Sequence, residues 1–221
     1  MVFKSIRDFG KNKTKPLKEE QISKSKYDVL NEIITSRRSV RSYQDKSVSD
    51  DIIKKIVDSV KFTPSAGNYQ PWEIIVVKDY NMRKSIVNAA YNQEWMIQAP
   101  VFIVACVNDR LAGAVYGTRG KMLYGIQALA AAIENMLLTA EALGLGTCWV
   151  GAFAEITVAR LLECPEYVRP CAIITLGYPK GATHMPARQT MNDYLHYEKH
   201  GESVLEKKVR KEKHPSYMKV R

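Results

Sequence analysis

Apolar residues along this chain recur with two periods, and the switches between them mark out its elements. "YDVLNEIITSRRS" carries Val29, Leu30, Ile33 and Ile34 at helical spacing, which predicts a helix that delivers a cluster of arginines at its C-terminal end. A polar turn, "QDKSVSDD", follows, with Ser49 placed to cap a second helix and Asp50 and Asp51 in its first turn. Ile52, Ile53, Ile56, Val57 and Val60 form the apolar stripe of that helix. It must stop before Pro64, because the residue ahead of a proline avoids the helical region. "PSAGNYQPW" (64–72) is a loop by composition, "EIIVVKD" (73–79) a strand and 81–91 a third helix. "APVFIVACV" (99–107) shows no alternation, which predicts a strand buried on both faces.

The segment 108–121, "NDRLAGAVYGTRGK", has three glycines and no clear period, so it reads as a long loop or a lid. "MLYGIQALAAAIENMLLTAEALGLG" (122–146) is the longest helix and is closed by Gly144. Its apolar residues cover nearly every side, which predicts burial all round and favours a second subunit over one face. "TCWVGAF" is extended, "ITVARLLEC" a short helix and "PCAIITLGYP" a strand. Helices and strands mix without strict alternation, so the fold class is α+β and not doubly wound.

Charge changes the picture only at the ends. The 221 residues carry 33 Lys and Arg against 23 Asp and Glu, a net +10. Residues 1–26 hold eight basic and three acidic side chains, and residues 199–221 the same. The chain thus divides into a basic N-terminal tail (1–26), a domain (27–200) and a basic C-terminal tail (201–221) expected to pack on a partner subunit. The neutral middle shows no electrostatic footprint for nucleic acid. No run approaches the roughly 18 consecutive apolar residues of a membrane span, and the first residues lack the apolar core of a signal peptide. Cys106, Cys148, Cys164 and Cys171 form no C-x-x-C pair and read as reduced thiols. The expected location is the cytoplasm, with no membrane or nucleic-acid partner. The four histidines show no metal spacing, so no metal site is expected.

Three stretches carry candidate chemistry. "RRSVRSY" (37–43) sets three arginines within five positions. It is either a solvated basic helix end, where positive charge suits the dipole, or an anion clamp whose guanidinium groups grip a phosphate beside the Ser39 hydroxyl. "PSAGNYQPW" joins small residues, which let a flat ligand near the backbone, to the amides of Asn68 and Gln70. "GLGTCWVGAF" puts Gly146 and Gly151 around a strand start but follows a helix and lacks the G-x-G-x-x-G spacing of a dinucleotide fingerprint.

Taken in order, "RRSVRSY", "PSAGNYQPWEIIVVKD", "AAAIENMLLTAEALGLGTCWVGAF" and "LGYPKGATHMPARQTMNDYLHYEK" resemble the nitroreductase family of FMN-dependent oxidoreductases over about residues 28–200. The resemblance implies a mostly antiparallel sheet flanked by helices, a long central helix at a dimer interface, and a homodimer with FMN sites between its subunits. It implies that Arg37, Arg38, Ser39 and Arg41 hold the FMN phosphate, ribityl chain and pyrimidine edge, with Arg188 closing on the phosphate. Pro64, Ser65, Ala66 and Asn68 match the loop that reaches the flavin from the other subunit. Gln93 is placed near the isoalloxazine ring. Trp149, Val150, Gly151 and Ala152 match the strand along that ring, where a backbone N–H near Gly151 points at flavin N5. No catalytic side chain is implied. NAD(P)H would reduce the flavin, and a nitroaromatic, quinone or similar small acceptor would reoxidise it in a ping-pong cycle. Ala152 stands where the family often has glycine, and Gln127 where an acidic residue is common. A reductive dehalogenase or a flavin-degrading enzyme is the alternative within the family. A non-catalytic binder of nucleic acid or anionic lipid is the alternative outside it.

Overall fold

The computed structural model describes residues 24–201 of the chain. Both predicted tails lie almost wholly outside those residues. The described chain forms two compact units, one up to Gly181 and one from Ala182 onward.

The first unit is built on a four-stranded antiparallel sheet, β1 (Trp72–Val77), β2 (Val101–Asn108), β3 (Gly146–Val150) and β4 (Val168–Gly177), in the order β1-β2-β4-β3. Every residue of β2 is buried, because helices cover both faces of the sheet. Val101, Ile103, Ala105 and Val107 join a core on one side, while Phe102, Val104 and Cys106 join a core on the other. The uninterrupted apolar run is thus two alternating sets, each facing its own layer. Pro170, which cannot donate to the ladder, lies opposite Cys106 where the register of β2 on β4 shifts.

Helix α1 (Lys26–Ser36) starts at a capping box in which Ser25 and Asp28 satisfy each other's backbone amides. It has no buried residue, and Leu30 and Ile34 stand half exposed. Helix α2 (Asp50–Asp58) begins at Ser49 as expected, although Ser49 makes no side-chain cap bond, and gives way to a 3₁₀ turn before Pro64. Ile53 and Ile56 bury its stripe against the first core. Helix α3 (Tyr80–Ala89) packs Ile86 and Val87 into the second core.

One expectation is corrected here. The 108–121 segment is not a loop but two short helices, α4 (Asp109–Gly113) and α5 (Gly117–Arg119), followed by a π turn at Gly120–Tyr124. Gly113 and Gly120 serve close packing: a Cβ on Gly120 would lie 1.9 Å from the Ala112 carbonyl oxygen. The long helix, α6 (Gly125–Ala142), is buried on one side within a single chain, which leaves the other side for the second subunit that the sequence favours. Leu129, Ile133, Met136 and Ala140 face the sheet, whereas Gln127 and Glu134 are exposed and Ile126, Ala130 and Leu138 half-buried. By length and composition the helical stretch Gly117–Ala142 is also apolar enough to cross a membrane; here its inward stripe joins the first core against the sheet. Leu143 ends the helix and Gly144 takes φ +73°, as a helix-terminating glycine should. Helix α7 (Glu155–Leu161) closes the layer opposite α6 through Val158.

The second unit is described from 182 to 201 and contains one short helix, α8 (Met191–Tyr194), capped by Thr190 and Asp193.

Candidate active site

The arginine segment leaves α1 and runs along the free edge of β3. Ser39 bridges Thr147 in parallel, and the Val40 amide donates to the Thr147 carbonyl at 2.8 Å. Farther on, Tyr43 bridges Pro179. Two glycines make this approach possible: a Cβ on Gly146 would meet Val40 at 2.7 Å, and one on Gly177 would meet Tyr43 at 2.9 Å. The closeness that Gly146 permits is therefore to the chain's own Val40. The buried Tyr43 hydroxyl donates to the Val40 carbonyl at 2.7 Å and lies 2.7 Å from Thr175 Oγ1. That staple fixes the segment to β4, and burial pushes the Tyr43 pKa well up.

The three arginines are held differently. Arg38 turns back, and its Nη1 donates to the carbonyls of Thr35, Ser36 and Arg37 at 2.6, 2.9 and 2.9 Å. It satisfies the orphan acceptors at the end of α1, so the plain reading of a basic helix end describes this one residue. Arg37 Nε lies 3.7 Å from Glu134 Oε1 on α6. Arg41 lies with its guanidinium carbon 5.6 Å from the Trp95 ring centroid. Burial raises the pKa of the Cys148 thiol on β3, while Arg41, Ser39 and Arg37 pull it the other way. That opposition shows all three side chains gathered around one strand.

β3 runs directly into Gly151 and Ala152, so Trp149–Ala152 lies at the end of the strand that the arginine segment edges. A Cβ on Gly151 would meet no atom within 4 Å, so the backbone there faces open space. Gln93 bonds to this stretch: its Nε2 donates to the Ala152 carbonyl at 2.9 Å and to Ala90 at 3.0 Å. The sequence-predicted Arg37, Ser39, Arg41, Gln93, Trp149, Val150, Gly151 and Ala152 thus converge. Trp95 and Glu134 were missed. The neighbourhood of Gln93 was a usable signal for Trp95, since "YNQEW" sets both side chains on one turn.

Pro64, Ser65, Ala66 and Asn68 lie apart from this group. Their loop feeds β1, at the opposite edge of the sheet from β3. Among the described residues no hydrogen bond or ion pair links the loop to residues 37–41. Instead the Ser65 hydroxyl accepts from the Gln70 amide at 3.0 Å, and Thr63 accepts from Asn135 Nδ2 on α6 at 3.0 Å. Gly67, Asn68 and Gln70 all take positive φ, a strained turn of the kind that concentrates at ligand sites. Arg188 belongs to the second unit, in the stretch ahead of α8.

The nitroreductase family model matches this chain over residues 34–93 and 87–178. An Archaeoglobus fulgidus protein named as a candidate NADH dehydrogenase/NAD(P)H nitroreductase is 36% identical over 152 residues, 67% of this chain and 84% of its own. The FMN reductase [NAD(P)H] of Bacillus subtilis is 33% identical over 166 residues, covering 68% of this chain and 67% of that protein. Among solved structures, B. megaterium NfrA2 superposes with a TM-score of 0.72 at 30% identity, covering 77% of this chain and 74% of that one. The chain belongs to the nitroreductase family and is an enzyme of that NAD(P)H-dependent oxidoreductase kind.

Proposed function

We propose that the protein is an FMN-dependent oxidoreductase that moves reducing equivalents from NAD(P)H to a nitroaromatic, quinone or similar small acceptor, and that it works as a cytoplasmic homodimer. One observation carries this reading: the arginine segment lies as an added edge along β3, which leads straight into the open backbone at Gly151. The residues fit a flavin phosphate at one end of that edge and a flat ring at the other.

Bound FMN would supply the redox chemistry between NAD(P)H and the acceptor. The chain's residues bind and tune it. Arg37 and Arg41 hold the phosphate end with the Ser39 hydroxyl. Arg38 keeps the turn in place and offers its remaining donors. Trp149, Val150 and Ala152 would line the ring, with the backbone N–H near Gly151 free to donate to it.

The second copy supplies the other wall. Within one chain the Pro64–Asn68 loop and the arginine segment belong to opposite sheet edges. A two-fold dimer brings the loop of one copy to the arginines of the other. The half-exposed apolar side chains of α1 and α6, Leu30, Ile34, Ile126 and Leu138 among them, are the surface such a dimer would cover.

The test is anaerobic titration of the purified protein with NADH and NADPH, followed by addition of acceptors. Bleaching of a bound-flavin absorption band and its return on adding a quinone supports the assignment, as do parallel initial-rate lines. Protein that binds no flavin when supplied with it refutes the assignment.

A further inference from the structure

Beside the loop of Pro64–Asn68, three tyrosines that the flavin site does not use meet edge to face. Tyr69 and Tyr116 have ring centroids 6.4 Å apart at 84°, and Tyr116 and Tyr124 5.2 Å apart at 86°. Backbone contacts hold them in place. A Cβ on Gly67 would sit 2.7 Å from the Tyr69 ring and 3.2 Å from the Tyr116 hydroxyl. A Cβ on Gly125 would sit 3.0 Å from Ala112. A shallow surface depression is lined by Ala66, Tyr69, Pro71, Ala112, Tyr116 and Tyr124. Leu111, Val115 and Met122 stand exposed on the same helical segment.

One charge is aimed at this cluster. Arg119 Nε donates to the Tyr124 hydroxyl at 2.8 Å, and its guanidinium carbon lies 5.3 Å from the Tyr124 ring centroid. No carboxylate lies within ion-pair distance of Arg119 among the described residues. Its two terminal amino groups likewise make no hydrogen bond within the described chain. From 108 to 124 the segment holds Arg110, Arg119 and Lys121 against Asp109 alone. A planar guanidinium oriented by Nε, with its amino ends open, matches the paired oxygens of a carboxylate or sulfonate.

We propose that the Tyr69–Tyr116–Tyr124 cluster with Arg119 is the acceptor subsite, and that it selects flat aromatic compounds carrying a negative charge. The ring rests on the tyrosines, whose edges and faces suit an aromatic partner, and the anion meets Arg119. Cationic aromatics are disfavoured by the same field. The proposal rests on the flavin reading above, because Ala66 borders the hollow and belongs to the loop assigned to the flavin.

The test measures binding of two probes to the full-length protein by calorimetry: 2-naphthalenesulfonate and neutral 2-naphthol. The parent is expected to bind the sulfonate at least about tenfold more tightly, the range of a charge-assisted hydrogen bond. Arg119→Gln should erase that preference. Tyr124→Phe, which keeps the ring but removes the hydroxyl that orients Arg119, should lower the sulfonate-to-naphthol ratio. Equal binding of the two probes by the parent, or a preference retained in Arg119→Gln, overturns the proposal. Reduction of bound flavin by NAD(P)H in the same preparations separates the two readings. Flavin reduced without charge preference removes the subsite alone. Preference lost in Arg119→Gln in a protein that holds no flavin removes the flavin assignment and leaves an anion-selective aromatic site.

Discussion

Replacing Arg37 and Arg41 together by alanine separates a ligand clamp from an ordinary basic turn. In the free protein little is at stake. The Arg37–Glu134 pair is long, at 3.7 Å, with side chains 21% and 49% exposed, and such pairs contribute about 0–1 kcal/mol. Arg41 over Trp95 at 5.6 Å adds about 0.5–1 kcal/mol. The double variant without flavin should therefore lose under about 2 kcal/mol. Against a phosphate each guanidinium contributes about 1.5–3 kcal/mol, so the pair accounts for about 3–6 kcal/mol, or roughly 10²–10⁴ in Kd. The assay is thermal unfolding with and without added FMN. At a hundredfold excess over Kd a ligand specific to the folded state adds about 2.7 kcal/mol, which raises the parent's Tm by about 5–10 °C for a chain of this size. The variant should show almost no shift at the same concentration. A variant that purifies with flavin and gains the parent's full shift refutes the clamp.

Other outcomes follow from the same geometry. Gly120→Ala drives a Cβ to 1.9 Å from the Ala112 carbonyl and should cost about 3 kcal/mol or more, lowering Tm by about 6–12 °C in calorimetry. Gly117→Ala, with φ +53° but open space around the new Cβ, should cost only about 1 kcal/mol. Burial raises the pKa values of Tyr43, Cys106 and Cys148, so the folded chain keeps protons that the unfolded chain releases. Stability is then fully present below the ordinary thiol pKa of about 8.5 and falls as pH rises beyond it; Tm measured from pH 7 to 10 checks the sign. Copies carrying Arg37→Ala and Arg41→Ala, refolded with copies carrying Ser65→Ala and Asn68→Ala, should regain about a quarter of the flavin sites by random pairing in a two-fold dimer. No regain would place both walls in one chain.

The elements were legible wherever one physical signal dominated. Ser49, the stop before Pro64 and the run 99–107 each constrain the backbone through a local rule, and α2, its termination and β2 follow them. The 108–121 segment was not legible, because its glycines mark close helix approaches, at Ala112 and Lys121, as well as a turn at Gly117. Composition does not distinguish those uses. On α6 the apolar pattern does not say which side the chain itself covers: Leu129, Ile133 and Met136 are buried, while Ala130 and Leu138 are half-buried. At the candidate site, residue types pointed to Arg37, Ser39 and Arg41. No sequence pattern could show Arg38 spent on the end of α1, or Glu134 reaching back from a distant position, whereas Trp95 stands two residues from Gln93.

The most direct measurement is a crystal structure of the protein grown with FMN. The account predicts the phosphate within hydrogen-bonding reach of Arg37 and Arg41, the ring along Trp149–Ala152, and the Pro64–Asn68 loop of a second copy against it. Flavin bound elsewhere, or a β3 edge whose arginines keep to Glu134 and Trp95 while FMN is present, would contradict it.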